Sequence, residues 1–251
     1  MPSSDLFYQP LVFQGFSQMV GVESTRRGGV SPAPYHSLNL GKSTADDPAH
    51  VAENRRRLCA ALGFGPGQLA WSKQVHGSAV RVVTEPGGAE GFDALICRVP
   101  GVLLAVSVAD CTPILVYDAR QQAVAAIHAG WRGTVGGIVA QTLQHMARHF
   151  GTEAADCYAY VGTCISAAHF EVGDEVAAHF DAAFKRFDPQ RGKFCVDLKA
   201  ANVAQLQHFG VAAARIECSP FCTVEHAEHY FSHRRENGTT GRMMAVIGVK
   251  N

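Results

Sequence analysis

Two apolar runs split by one short polar island constrain this chain more than any other feature. Val102–Val108 is almost wholly apolar, and Ile114–Tyr117 resumes the pattern after Ala109-Asp110-Cys111-Thr112-Pro113. A run without polar alternation marks a strand buried on both faces. The sheet it joins must therefore be covered on each side. Further strands are expected at Val20–Ser24, Ala79–Val83, Ala123–Ile127, Cys157–Val161 and Ala245–Val249. A helix should start near Asp46 or Asp47, carry Pro48 in its first turn, and stop at Gly63. A second spans Ile138–Phe150, with Val139, Leu143, Met146 and Phe150 on one side and Gly151 after its end. Val172, Val176 and Phe180 follow helical spacing, as do Val203, Leu206 and Phe209.

The mixture predicts an α+β or α/β architecture with helices over sheet faces. At 251 residues, without repeat or linker, the chain is expected to form a single domain over residues 1–251. Glu85–Gly91 (EPGGAEG) reads as a turn or mobile loop, and Asp188–Gly192 as a second break. Lys+Arg and Asp+Glu stand at 22 each, so net charge gives no footprint for nucleic acid. No apolar stretch is long enough for a bilayer, and the first ten residues lack a secretory pattern. A cytoplasmic location is expected, with the eight cysteines as free thiols or metal ligands. Cys59, Cys97, Cys157, Cys195 and Cys218 are expected to be small buried hydrophobes.

Chemistry gathers where the strands end. Cys111 lies in the polar island. His128 ends a buried strand and enters the glycine-rich His128-Ala129-Gly130-Trp131-Arg132-Gly133-Thr134, a turn whose N–H groups could meet an anion. His76 lies in Lys73-Gln74-Val75-His76-Gly77 beside a strand. Two imidazoles and a thiolate suit zinc, which in catalytic sites takes three protein ligands and leaves one position open. No short metal spacing such as CxxC or HExxH joins these pieces, so spacing alone does not prove a centre. Cys222, His226, His229 and His233 also crowd together but read as a solvated loop, and His145 and His149 as an exposed i,i+4 pair.

Several segments together are specific. STRRGGVS (24–31), YHSLNLG (35–41), NRRRL (54–58), KQVHG (73–77), ADCTPILVYD (109–118), HAGWRGT (128–134), FEVGDEV (170–176), YFSHRR (230–235) and TTGRM (239–243) resemble the multicopper polyphenol oxidase (laccase)-like family of the YfiH and YlmD type. That family, DUF152, includes the mammalian FAMIN and the peptidoglycan editing factor. The resemblance covers nearly the whole chain. It implies an α+β fold, with mixed β-sheets packed together and flanked by helices, grouped with a bacterial toxin's cysteine-hydrolase domain. It implies Zn2+ on His76, Cys111 and His128, which would also be the catalytic residues. It implies purine nucleoside phosphorylase activity on adenosine, inosine and methylthioadenosine, and deamination of adenosine.

Arg26, Asn39, Arg55 and Gln74 then become candidate substrate contacts. Lys73, Asp110 and Arg132 become candidates for phosphate or for support of the metal ligands. The expected partners are a small-molecule nucleoside and phosphate, with no nucleic acid and no membrane. The chain departs from the family pattern twice. Glu23 replaces the aromatic residue usual before Ser-Thr-Arg, and Gly162-Thr163 replaces the usual Gly-Pro. Two other readings stay open: a cysteine hydrolase editing peptidoglycan precursors, with Cys111 as nucleophile, and a copper phenol oxidase. His2Cys is also a copper-like set, but no His-x-His occurs to build a multicopper centre.

Overall fold

A computed structural model describes residues 5–251. The chain forms one mixed α+β domain in which two six-stranded sheets pack face to face. The first sheet runs in the order Phe7–Tyr8, Met19–Ser24, Met243–Val249, Leu103–Val108, Leu69–Lys73, Gly87–Glu90. The second runs Ile216–Cys218, Cys157–Val161, Thr112–Asp118, Ala123–Ala129, Ala94–Cys97, Val80–Val82. A small third sheet joins Glu171–Val172, Lys193–Val196 and Lys185–Asp188.

The period of two explains why both central strands are apolar throughout. Leu104 and Val106 point into the core between the sheets, against Leu115, Tyr117, Val124 and Ala126 of the second sheet. Their neighbours Leu103 and Ala105 point outward, under Leu58, Cys59 and Leu62 of the helix Pro48–Ala61. The second sheet mirrors this. Ile114, Val116, Ala125 and Ile127 face Val139, Leu143 and Met146 of Ile138–Phe150 and Leu206 of Leu198–Phe209. The layers are thus helix, sheet, sheet, helix.

The expected ends held for Ile138–Phe150 and Cys157–Val161. Asp47 caps the first helix by accepting the Ala49 N–H, with Pro48 behind it. Three expectations are corrected. Gly87–Glu90 is a strand, paired in parallel with Leu69–Lys73, and not a loop. Gly88 reflects packing, since a Cβ there would lie 2.5 Å from the Trp71 ring, and Gly87 adopts φ 131°. Val172 belongs to a two-residue strand, and only Asp174–Ala177 of its neighbourhood is helical. Cys218 is exposed, because its strand lies at a sheet edge with one neighbour. No helix among the described residues is long and apolar enough to cross a membrane.

Candidate functional site

The chain crosses from the first sheet to the second three times, after Leu69–Lys73, Gly87–Glu90 and Leu103–Val108, and the first and last of these crossings carry His76 and Cys111. Leu69–Lys73 and Leu103–Val108 are parallel neighbours, so both leave the first sheet at the same end. One continues through Gln74–Gly77 to Val80–Val82, the other through Ala109-Asp110-Cys111 to Thr112–Asp118. Gln74 ties these two crossings together. Its Nε2 donates to the Ser107 carbonyl at 2.9 Å, and its Oε1 accepts the Ser107 N–H at 2.8 Å. The amide side chain thereby extends a ladder whose strand pairing ends at Trp71 and Ala105.

His128 lies on the adjoining strand, in register with Pro113, so it arrives beside Cys111. His76, Cys111 and His128 converge, with their candidate ligand atoms all within 4.8 Å of one another. The two imidazole rings stand edge to face at 4.9 Å. Gly130 makes the meeting sterically possible. A Cβ there would lie 3.1 Å from both Cys111 Sγ and His76 Cδ2. Gly133 has the same effect on the other crossing, since its Cβ would stand 2.8 Å from the Gly77 carbonyl. The glycines Gly130 and Gly133 of the turn after His128 serve close approach.

Asp93 organises two of the three donors, and nothing in the sequence singled it out. Its carboxylate is fully buried and accepts the N–H groups of Val75 (3.1 Å), His76 (2.9 Å) and Gly77 (2.9 Å). It also meets His128 Nδ1 at 2.8 Å. The three amides pin the His76 loop, where His76 adopts φ 59°, a left-handed conformation uncommon for a non-glycine residue. The contact to Nδ1 places a proton there and leaves Nε2 as the free donor of His128. Burial works to raise the Asp93 carboxyl, but His128 and the backbone amides outweigh it and hold it below the usual range. Burial likewise works to raise the Cys111 thiol, and His128 and His76 reverse that, favouring the thiolate. For His128, burial works to lower its pKa, but Cys111 and Asp93 prevail and raise it.

The three donors line a cavity of about 430 Å³. They fit a divalent transition metal: the donors are soft and borderline, few in number, oriented from behind by a carboxylate, and open toward the cavity. Lys73, Gln74, Arg55 and Asp110 line the same cavity. Asp110 is held at φ 83°, and its carboxylate accepts the Thr223 hydroxyl (2.5 Å) and the Arg234 N–H (2.6 Å).

Arg26, Asn39 and Arg132 do not line it. Arg26 is engaged by the carbonyls of His36 and Ala227 and by Glu236 at 2.8 Å. Asn39 is buried among Thr44, Asp46 and the amides of Gly41 and Arg242. The Arg132 guanidinium lies over its neighbour Trp131. Beyond the cavity, His169, Cys222 and Glu225 also cluster. That group closes on itself, with His169 Nε2 and Glu225 paired at 2.9 Å and the Cys222 thiol accepting the Ser166 N–H.

Residues 21–250 match the profile of the family described as multi-copper polyphenol oxidoreductase laccase. The chain belongs to this family. Within it, the chain is similar to a protein of Deinococcus radiodurans named purine nucleoside phosphorylase, 44% identical over 90% of this chain and 87% of that one. It is also similar to one of the same name from Bacteroides thetaiotaomicron, 38% identical over 93% of each. Among solved structures it superposes on YlmD from Geobacillus stearothermophilus with a TM-score of 0.93 and 32% identity, over 100% of this chain and 98% of that one. The Bacillus licheniformis hypothetical protein YfiH gives the same TM-score at 29% identity, over 99% of this chain and 98% of that one.

The two departures from the family pattern sit against each other. Glu23 accepts the Thr163 N–H at 3.0 Å, a bond that proline at 163 could not make.

Proposed function

We propose that this chain is a zinc-dependent purine nucleoside phosphorylase of the cytoplasm, acting on adenosine, inosine and methylthioadenosine, and that it also deaminates adenosine. One observation carries the reading: His76, Cys111 and His128 converge on a cavity that is rich in cations and sized for a small molecule. The names borne by the similar bacterial proteins support the nucleoside as substrate.

In phosphorolysis a phosphate oxygen bonds to the ribose anomeric carbon as the carbon–nitrogen bond breaks. The base leaves with the bonding pair, and the proton of hydrogen phosphate ends on the purine. A bound metal supplies Lewis acidity at the floor of the cavity. Asp93 holds the His76 loop and the His128 tautomer, so the donors need not reorganise. Asp110, anchored by Thr223 and Arg234, fixes the crossing that carries Cys111. His76 is the most exposed of the three.

A second reading has its own observation. The Cys111 thiol beside two imidazoles also suits a nucleophile in a cysteine hydrolase. Alkylation separates the two. A metal-held thiolate resists alkylation until a chelator is added, and activity returns with zinc. A nucleophile alkylates at once and works in the chelator. The functional test is chromatography of adenosine with phosphate, with adenine and ribose 1-phosphate as expected products, and of adenosine alone, with inosine expected. Absence of all three products overturns the proposal.

A further inference from the structure

On the wall of the same cavity two cations meet around one tryptophan, and a third, Arg242, lines it with them. Lys42, Arg55, Trp71 and Arg242 all line that wall. Lys42 Nζ lies 4.3 Å from the Trp71 ring centroid and the Arg55 guanidinium 5.5 Å. They arrive from separate elements: Lys42 from the loop after Leu40, Arg55 from the helix Pro48–Ala61, and Arg242 from the residue before the strand Met243–Val249.

The scaffold beneath them is built rather than incidental. Buried Asn39 accepts the N–H of Gly41 (3.1 Å) and of Arg242 (2.9 Å), so one amide positions both loops. The Leu40 carbonyl accepts Arg55 Nε at 2.8 Å, and the Leu40 N–H donates to the Arg242 carbonyl at 3.0 Å. Gly41 leaves room for the Arg242 side chain, whose Cγ would stand 2.6 Å from a Cβ there.

What is missing is an acid in contact: Cys111 and Asp110 act on Arg242 only through space. Arg55 is 6% exposed, and its recorded hydrogen bond goes to a carbonyl. Arg242 Nη1 also donates only to carbonyls, those of Thr240 and Gly241. None of the three cations forms an ion pair among the described residues. The one carboxylate on the cavity wall, Asp110, is already taken by Thr223 and Arg234. Burial lowers the pKa of Lys42, with Arg55 adding to the effect, and burial brings Arg55 down to about 10. An uncompensated buried cation such as Arg55 is costly unless a ligand completes it.

We propose that Lys42, Arg55 and Arg242 form a binding site for a dianionic phosphate group, and that its occupant is the acceptor phosphate of phosphorolysis. The second part rests on the function proposed above. The first does not. Forked guanidinium donors suit phosphate oxygens, and Lys42 adds a mobile point charge. The site puts the phosphate cations and the metal donors on the walls of one cavity.

Titration calorimetry with inorganic phosphate alone tests the site, because it needs no turnover. Zinc-loaded wild-type protein should bind phosphate. Lys42→Met, at an exposed position that should not affect folding, should weaken binding about ten-fold or more, and Arg242→Met should do the same. In steady-state assays Lys42→Met should raise KM for phosphate by a similar factor and leave KM for the nucleoside within about two-fold. Phosphate binding that is absent in the wild type, or unchanged in Lys42→Met, overturns the site. A Lys42-dependent gain in affinity for a nucleoside 5′-monophosphate, with no effect on inorganic phosphate, overturns the acceptor assignment. Lys42-dependent phosphate binding without phosphorolysis supports the site and refutes the proposed function instead.

Discussion

Asp93 and Glu23 are both fully buried carboxylates, yet the molecule treats them oppositely. Asp93 faces three backbone N–H groups and an imidazole, and is held ionised. Glu23 faces one backbone N–H, that of Thr163, and the hydroxyls of Thr163 and Tyr160. Burial pushes it up to about 7, against the pull of those donors. Neither is exposed, so exposure alone does not decide charge. The kind of partner does. An amide N–H can only donate and therefore demands a carboxylate. A hydroxyl can donate or accept, so it tolerates a carboxylic acid as well. Asp93 stands behind metal donors, where a fixed negative charge is useful, whereas Glu23 joins strands away from the cavity.

The contrast can be broken most severely at Asp93. Asp93→Ala leaves three part-buried amides without their acceptor and frees the His128 ring, so metal affinity should fall about 10–100-fold and stability by about 1–3 kcal/mol. Metal titration and urea unfolding read the two separately. Wild-type metal affinity in this variant would remove Asp93 from its organising role.

At Glu23 the sign is opposite. Below pH 4.5, its ordinary value, the group is protonated in folded and unfolded chains alike. As pH rises from 4.5 to about 7 the unfolded chain ionises first, so stability falls across that window and levels off above it. The loss attributable to this group is on the order of 3 kcal/mol. Glu23→Gln should flatten that slope in chemical denaturation at stepped pH. An unaltered slope would show that Glu23 is ionised in the native state.

Thr163→Pro sharpens the comparison by deleting both of the donors that Thr163 gives Glu23. It should cost about 2 kcal/mol at neutral pH and less in acid. Part of that cost should vanish when Glu23 is also replaced by an aromatic residue, a coupling measurable by a double-mutant cycle.

The smallest effect is expected at Asp46, a second buried acid with fixed donors. Burial works to raise it, but Ser31, Asn39 and the Asp47 N–H hold it below its ordinary 3.8. Its contribution is therefore present above pH 3.8 and lost as pH falls through the native value. Asp46→Asn should remove about 1 kcal/mol at neutral pH and nothing in strong acid, as read by thermal melts.

The two central strands were legible because a strand buried on both faces leaves an unbroken apolar signature, as Leu103–Val108 does. Gly87–Glu90 was not, because an edge strand under a tryptophan ring must shed side chains and so resembles a turn. His76, Cys111 and His128 could be named because each sits in a distinctive segment. Asp93 could not, because its partners are backbone amides, which carry no sequence signal. Lys42 and Arg242 escaped for a related reason. Their meeting depends on Asn39 joining two loops 203 residues apart along the chain. Asn39 itself was expected to touch substrate. The structure gives it the amides of Gly41 and Arg242 instead, so its effect on the cavity is transmitted through the residues it positions.

The strand Met243–Val249 lies between Met19–Ser24 and Leu103–Val108. A chain under synthesis therefore makes both flanking strands long before the one that joins them. Until that strand has emerged from the ribosome, the first sheet exists as two unzipped halves with apolar faces and bare hydrogen-bonding edges, open to chaperones and to other nascent chains. The three metal donors will already have been translated, but Arg242 and the strand behind it arrive last. Assembly of the cavity thus waits for that strand, and a chain stalled before it should be cleared as an unfolded polypeptide rather than persist as a trimmed protein.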